Sequence, residues 1–413
     1  MAAVFITALA LRLIFSFYLN ARHPDRVWDG DAKHYQSYAT HLLHQRQYED
    51  DHGDKLFRMP GYPLFLTLIY RVCGESPFSV QITQGVLGAF ACALLFLIAQ
   101  RLYGDPWGFF CGISASICYD TIEPSGQILS EALAIPLLAL FWWIWFCWKK
   151  PASIKSIILS FVCAILCLVR PDFGLFAVVL CLGFPPFFIK NQESRIKGWI
   201  WGLVFLVTFS PWIFRNWQIF HKFIPTSANS ENAMYMGLAL PLERIHDIPV
   251  SKRAPLTLGE LDERRFYRQE LISLWKITPG LKIIRAYLIN LASLFYPFLP
   301  SYDWTYILFV PLWMWALFHT KENSSLSPLW LMVGLYVFIH IFAGGPVSRY
   351  RQVLAIPLII AATAGAMDLS ARSGKRFWYL FWGWASINIL VFMIAPVARD
   401  FVLTLAHLLH THS

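Results

Sequence analysis

Apolar runs long enough to cross about 30 Å of hydrocarbon recur from one end of this chain to the other, and no other feature restricts its fold so strongly. Eleven spans are expected, at 2–20, 79–100, 107–121, 127–148, 155–169, 172–189, 198–219, 303–320, 328–344, 350–368 and 377–397, with ten to thirteen as the bounds. Only 14% of residues are charged, 57% are hydrophobic and the mean hydropathy is +0.50, whereas soluble domains carry about 25% charged residues. The runs at 107–121 and 155–169 fall short of the ~20 residues a span needs. Two more are left out: 62–73 is too short, and 281–299 carries Lys282, Arg285 and Asn290 and reads as interfacial. The N-terminus is apolar from Ala2 without a basic region or cleavage site, so a retained first span is expected. The fold class is an all-α polytopic membrane bundle, one domain over residues 1–413.

Charge placement orients this bundle. The net charge of +9 does not point to nucleic acid, because the Lys and Arg sit mostly in short loops between spans. With a cytoplasmic N-terminus, eleven cations fall on the inner side: Arg101, Lys149, Lys150, Lys155, Lys190, Arg195, Lys197, Lys321, Arg372, Lys375 and Arg376. The two long loops, 21–78 and 220–302, then both face outward. Seven of the eight cysteines lie in apolar spans, which argues against a disulfide framework.

The first outer loop holds the most informative stretch, Trp28 to Pro63. It opens on two carboxylates, Asp29 and Asp31, and continues into a short helix with Tyr35, Tyr38, Ala39, Leu42 and Leu43 on one face. It closes on Arg58 and the rigid turn Pro60-Gly61-Tyr62-Pro63. Asp31 has two readings, an N-cap for that helix and a carboxylate that takes a proton from an acceptor hydroxyl; one does not exclude the other. Arg58, Arg215, Arg349 and Arg351 each sit where an outer loop meets a span. A guanidinium suits phosphate there, since its planar fork donates two parallel hydrogen bonds and keeps its charge; head-group snorkelling is the plainer alternative for any one of them. Glu131 stands at the entry of a span, where a carboxylate needs a partner, and Arg12 lies within the first span as a structural cation. Five histidines fall in the first loop, so a divalent metal on Asp29, Asp31 and His34 is left open.

Taken in order, these motifs resemble a known family. They are an Arg-bearing first span, Asp31 with Tyr35 and Ala39, Arg58-x-Pro-Gly-Tyr-Pro63, Ser130-Glu131, Arg170-Pro171, Pro211-Trp-x-x-Arg-Asn216 and Arg349-Tyr-Arg351. The chain is similar in this to the GT-C-fold glycosyltransferases, in the branch of the dolichyl-phosphate-mannose protein mannosyltransferases and the bacterial aminoarabinose transferases. The resemblance implies inverting transfer of a sugar from a polyprenyl-phosphate donor to a lipid, glycan or protein acceptor on the outer face of a bacterial cytoplasmic membrane. It implies Asp31 as base, with Asp29 and Glu131 assisting; Arg58, Arg215, Arg349 and Arg351 on the donor phosphate; and Tyr35, Tyr62 and Arg170 in the substrate pocket. No cofactor is implied as required. The larger members carry a C-terminal soluble domain, for which no counterpart is expected within these 413 residues, and many have Asp-Glu where this chain has Asp31-Ala32. A lipid carrier or flippase without chemistry is the rival reading. An inverted repeat would favour it, and none is visible.

Overall fold

The computed structural model describes residues 1–28, 30–182, 198–246, 251–255, 257–296, 303–319, 326–345 and 347–410. Among them are seventeen α-helices and no strand. The first half comprises α1 (Ala2–Arg22), α2 (Ala32–His44), α3 (Gly61–Cys73), α4 (Pro77–Tyr103), α5 (Asp105–Ile117), α6 (Tyr119–Gly126), α7 (Glu131–Cys147) and α8 (Ala152–Val169). The second half comprises α9 (Gly174–Cys181), α10 (Gly198–Phe220), α11 (Ser230–His246), α12 (Glu260–Ile277), α13 (Gly280–Leu294), α14 (Trp304–His319), α15 (Ser327–Phe342), α16 (Arg351–Ser373) and α17 (Lys375–His410).

Each of the eleven expected spans holds a helix, although the 172–189 run lies within the described residues only to 182. Five helical stretches, α1, α4, α8, α16 and Lys375–Ile394 of α17, are long and apolar enough to cross a membrane by length and composition. The run expected to be short at 155–169 is thus extended at its N-terminal end to a full span. That at 107–121 stays short, because the helix stops at Ile117 and a new one starts at Tyr119. The run omitted at 62–73 is α3, an apolar helix of 13 residues.

Two helices organise the bundle. α4 packs on α1, α5 and α7, and α16 packs on α14, α5 and α7. Every residue of α16 from Arg351 to Ala366 is buried. Its small residues, Ala361 to Ala366, let neighbouring backbones come close, which is what drives helix association where lipid is as apolar as the side chains. At Gly365 a Cβ would stand 2.0 Å from the Leu312 carbonyl oxygen of α14. Gly365→Ala must therefore push two backbones apart, and overpacking of that kind costs about 1–3 kcal/mol. A lower apparent Tm of the purified variant is the expected result; an unchanged Tm would show that the α14–α16 seam yields freely.

Arg12 is fully buried inside the bundle, as its mid-span position requires a partner. It donates to the Thr121 carbonyl at 3.0 Å and to the Ala8 carbonyl at 3.0 Å. Between α6 and α7 the chain leaves the helix for four residues, and buried backbone there needs hydrogen bonds from elsewhere. Gln81 and Gln84 of α4 supply them, donating to the carbonyls of Gly126 and Gln127 at 2.8 Å each. This break sets Glu131 at the first position of α7.

The two long loops touch. The Ala228 N–H donates to the Leu56 carbonyl at 2.8 Å. Glu260, at the start of α12, accepts from the Lys55 and Leu56 N–H groups at 2.7 and 2.6 Å. Burial pushes Glu260 up to about 7, with the charges of Asp54 and Asp50 adding to the rise and the two N–H bonds opposing it. A carboxyl raised in the fold stabilises most below its ordinary pKa, and that stabilisation is lost as pH climbs through 7. Glu260→Gln is expected to gain apparent Tm relative to the parent as pH rises from about 5 to 8. A Tm difference that stays flat over that range would refute the assignment.

Candidate active site

Asp31 occupies the N-cap position of α2, yet its side chain makes no capping hydrogen bond. Both carboxylate oxygens go to arginines instead: Arg58 Nη2 donates to Oδ1 at 2.6 Å and Arg349 Nη2 to Oδ2 at 3.1 Å. Gly30, with φ +59°, makes this possible, since a Cβ there would lie 3.1 Å from Arg349 Nη1. Burial by itself would raise the Asp31 pKa, but the two guanidinium charges and their hydrogen bonds outweigh it and hold the group below its ordinary value.

The ion pairs continue as an alternating row. Arg349 Nε lies 3.2 Å from Glu131 Oε1, and Arg170 Nη1 lies 2.8 Å from the same oxygen. Arg170 Nη2 pairs with Asp172 Oδ2 at 2.7 Å, and His340 Nε2 approaches that oxygen at 3.4 Å. Three arginines thus face three carboxylates. Local rules explain the placement of each. Arg170 precedes Pro171, which forces it out of the helical region to φ −141° and ψ 113° at the end of α8. Pro171 opens a 3-10 turn that brings Asp172 back under the same guanidinium. Gly344 and Gly345, at φ +88° and +73°, make the sharp turn ahead of Arg349. Gly61 lets α3 start against the end of α8, since a Cβ would sit 2.8 Å from the Leu168 carbonyl; this seats Arg58 close to the Arg170 turn.

These residues line a cavity of about 320 Å³, whose walls include Asp31, Tyr35, Arg58, Arg170, Asp172, His340, Arg349 and Tyr350. The facing wall, from the second long loop and α11, is uncharged: Thr226, Ser227, Asn229, Ser230, Ala233 and Met234. Arg58 Nε is buried without a hydrogen-bond partner, whereas Arg349 Nε lies against Glu131 Oε1. Buried donors left unpaired are costly, so the Arg58 guanidinium keeps spare capacity for an anion. Glu131 is 1% exposed and stands behind the arginines, outside the lining.

Several expected site residues fall elsewhere. Arg215 does not join the cavity lining; it donates to the Lys55 and Tyr48 carbonyls at 2.7 and 2.9 Å and lies over the Tyr48 and Trp212 rings. Arg351 is buried between Asp120 and Asp303, at 2.7 Å from each, with its guanidinium 3.8 Å from the Tyr306 ring centroid. Two residues apart across a turn into a helix, Arg349 and Arg351 point to different places. Tyr62 is fully buried, donates to Gln84 at 2.6 Å and packs edge-on to Tyr35, so it supports the pocket from behind. His34 pairs with Asp50 at 3.3 Å. Asp29 lies outside the described residues.

Of the three residues left open for a divalent ion, Asp29 lies outside the described residues and the other two turn to different partners. Asp31 is held by two guanidinium groups, Glu131 lies between two, and His34 is turned to Asp50. Among the described residues no group of three His, Cys, Asp or Glu side chains is placed to hold a metal. Asp172, one of the charges expected at the outer face, joins the site, and His340 is an addition that the motifs do not indicate. The signal for His340 was present, a histidine inside an apolar run, where an ionisable group marks a polar cavity.

A family model described as dolichyl-phosphate-mannose-protein mannosyltransferase matches residues 52–214. The sequence matches none of the curated proteins. Among solved structures, the oligosaccharyltransferase of Archaeoglobus fulgidus in complex with Zn and sulfate is 11% identical, with a TM-score of 0.54 over 95% of this chain and 51% of that one. The same enzyme tethered with an acceptor peptide containing the NVT sequon is 10% identical, with a TM-score of 0.54 over 97% and 54%. ArnT from Cupriavidus metallidurans bound to undecaprenyl phosphate is 13% identical, with a TM-score of 0.45 over 90% and 79%. The present chain spans about half the length of the oligosaccharyltransferase chains it matches. The family model over residues 52–214 and a helix arrangement shared over nearly all its length give this chain the fold of the GT-C glycosyltransferases, a multi-pass membrane bundle.

Proposed function

We propose that this protein transfers a sugar from a polyprenyl-phosphate donor to a hydroxyl of a lipid, glycan or protein acceptor, with inversion, on the outer face of the membrane. One observation carries the reading: a carboxylate, Asp31, with each oxygen held by a separate cavity-lining arginine, of which Arg58 retains an unpaired Nε–H. That arrangement has places for both reacting partners. A donor phosphate draws Arg58 and Arg349 onto its own oxygens, for which a guanidinium fork is well shaped. Asp31, released from one or both, then faces the acceptor.

In the transfer step the acceptor oxygen forms a bond to the anomeric carbon from one side. The bond from that carbon to the phosphate oxygen breaks on the other, so configuration inverts. The acceptor proton passes to Asp31, and polyprenyl phosphate leaves with its new charge facing the arginines. Preorganised cations aimed at a developing charge supply much of the acceleration in such a water-poor site, and alignment of the two partners supplies the rest. Glu131 acts as a positioning residue that fixes Arg170 and Arg349. The reading assigns no step to a metal.

The deciding experiment incubates membranes containing the protein with a panel of labelled polyprenyl-phosphate sugars. Labelled acceptor together with stoichiometric free polyprenyl phosphate, undiminished by EDTA, is the expected result. Lipid binding with no release of free polyprenyl phosphate across the panel would refute transfer and favour a carrier. Addition of donor and acceptor to sealed vesicles of known sidedness tests the outward orientation.

A further inference from the structure

Among the described residues, the second long loop carries an apolar surface that is left exposed. In α12 the first half is charged: Glu260, Glu263 and Arg264 are half-buried, and Asp262, Arg265 and Arg268 are exposed. From Leu271 to Asn290 the chain has no acidic residue and three exposed cations, Lys276, Lys282 and Arg285. Over the same stretch large apolar side chains turn outward, while Leu274 and Ile283 are buried. Trp275 is 49% exposed, Ile277 72%, Leu281 83%, and Ile284 and Leu288 57% each. On α13, Leu281, Ile284 and Leu288 follow an i, i+3, i+7 spacing that makes one face, while Ile283, Ala286, Asn290 and Leu294 form the buried one. The helix packs by that buried face on α11 and α15. The most exposed pair, Ile277 and Leu281, flanks the Thr278-Pro279-Gly280 turn at the tip of the hairpin.

Neither helix explains this surface by crossing the bilayer. α12 is too polar, and α13 has 15 residues with two cations among them, short of the ~20 needed. An apolar face edged by Lys and Arg, with a Trp beside it, is the pattern of a helix lying in the lipid interface. We infer that the α12–α13 hairpin docks on the leaflet beside it, inserting Ile277, Leu281 and Leu288 among the acyl chains and seating Lys276, Lys282 and Arg285 on anionic phospholipid headgroups.

The base of the hairpin reaches the active cavity. Arg268 Nη2 lies 2.9 Å from Glu231, in the first turn of α11, beside Ser230, Ala233 and Met234 of the cavity wall. Glu260 holds the backbone of Lys55 and Leu56, next to Phe57 and Arg58. Asn290 of α13 donates to the Gly237 and Ile341 carbonyls at 2.6 and 2.9 Å. Docking at the tip therefore sets the height and tilt of the cavity wall relative to the leaflet.

The test uses the full chain in a Cys73→Ser background, reconstituted into phosphatidylcholine vesicles with or without phosphatidylglycerol. An environment-sensitive fluorophore is attached through Leu281→Cys, or through Arg253→Cys as a water-facing control. The label at 281 is expected to shift to the blue and to be quenched severalfold more by a chain-borne nitroxide lipid than by aqueous iodide, with the reverse at 253. Lys276→Gln, Lys282→Gln and Arg285→Gln together are expected to remove the part of this quenching that depends on phosphatidylglycerol. Equal iodide access at 281 and 253 would overturn the docking, and so would shielding that appears only as protein concentration rises, since a second copy would then be the occupant. Quenching indifferent to phosphatidylglycerol would overturn the headgroup contact. None of these readouts uses sugar transfer, so they stand or fall apart from the proposed activity.

Discussion

Asp31→Asn is expected to lower the rate of transfer by about 10²–10⁴-fold, the range a positioned general base contributes. The substitution is nearly isosteric and removes one charge from a row in which Arg58 and Arg349 each pair with a separate oxygen of that carboxylate. An amide cannot accept the acceptor's proton, whereas both arginines stay in place for phosphate. Donor affinity should therefore hold or improve, because the phosphate no longer competes with a carboxylate for the same guanidinium groups. The pH profile offers a second check. The arginines hold the Asp31 pKa below its ordinary value, so Asp31 places no acid limb on kcat/KM between about pH 5 and 8. A variant that transfers at the parent rate would remove Asp31 from the mechanism. One that loses donor binding in proportion to rate would make it a structural partner of the arginines.

Glu131→Ala should give the largest loss of stability, about 3–5 kcal/mol, the cost of stripping one partner from a buried ion pair. Glu131 is 1% exposed and lies 2.8 Å from Arg170 and 3.2 Å from Arg349. Without it, three arginines face only Asp31 and Asp172, and two guanidinium groups lose a shared counter-charge within the bundle. The expected readouts are a sharp fall in folded yield and in apparent Tm. Glu131→Gln should lose less, since an oxygen remains to accept a hydrogen bond. The pair of variants separates roles. If Glu131→Gln keeps its stability and its KM but loses rate as fully as Asp31→Asn, Glu131 touches the reaction and is no mere support.

Much of the scaffold was legible because hydrocarbon admits few solutions. An apolar run in a bilayer must satisfy its own backbone, so a helix is the result wherever such a run is long enough. All eleven expected spans hold helices. Legibility failed at the ends: 155–169 is longer than its apolar core suggested, because Ala152 to Ile154 continue the helix ahead of Lys155. The run at 62–73, left out as too short for a span, is the 13-residue α3, which packs on α2, α4 and α8.

In the site, residue type was readable and pairing was not. Asp31, Arg58, Arg170 and Arg349 announce themselves as ionisable groups at the edge of apolar runs, and all four line one cavity. Arg215 and Arg351 carry the same signal at the same kind of position, yet one packs on the Lys55 backbone and the other sits between Asp120 and Asp303. No local pattern distinguishes the two sets, because each arginine has a partner tens to hundreds of positions away, Arg170 with Glu131 as well as with the nearby Asp172.

The amino-acid sequence by itself determined the class of fold, the helices and the stock of charges at their ends, since hydropathy and the cost of bare backbone act locally along the chain. Only the tertiary structure decided which charges meet. The Arg170-Pro171 turn, the Gly344-Gly345 turn and the close start of α3 at Gly61 draw Asp31, Arg349, Glu131, Arg170 and Asp172 into one alternating row. Coulomb attraction at contact distance, in a setting poor in water, is strong enough to choose among partners only after packing has brought them together.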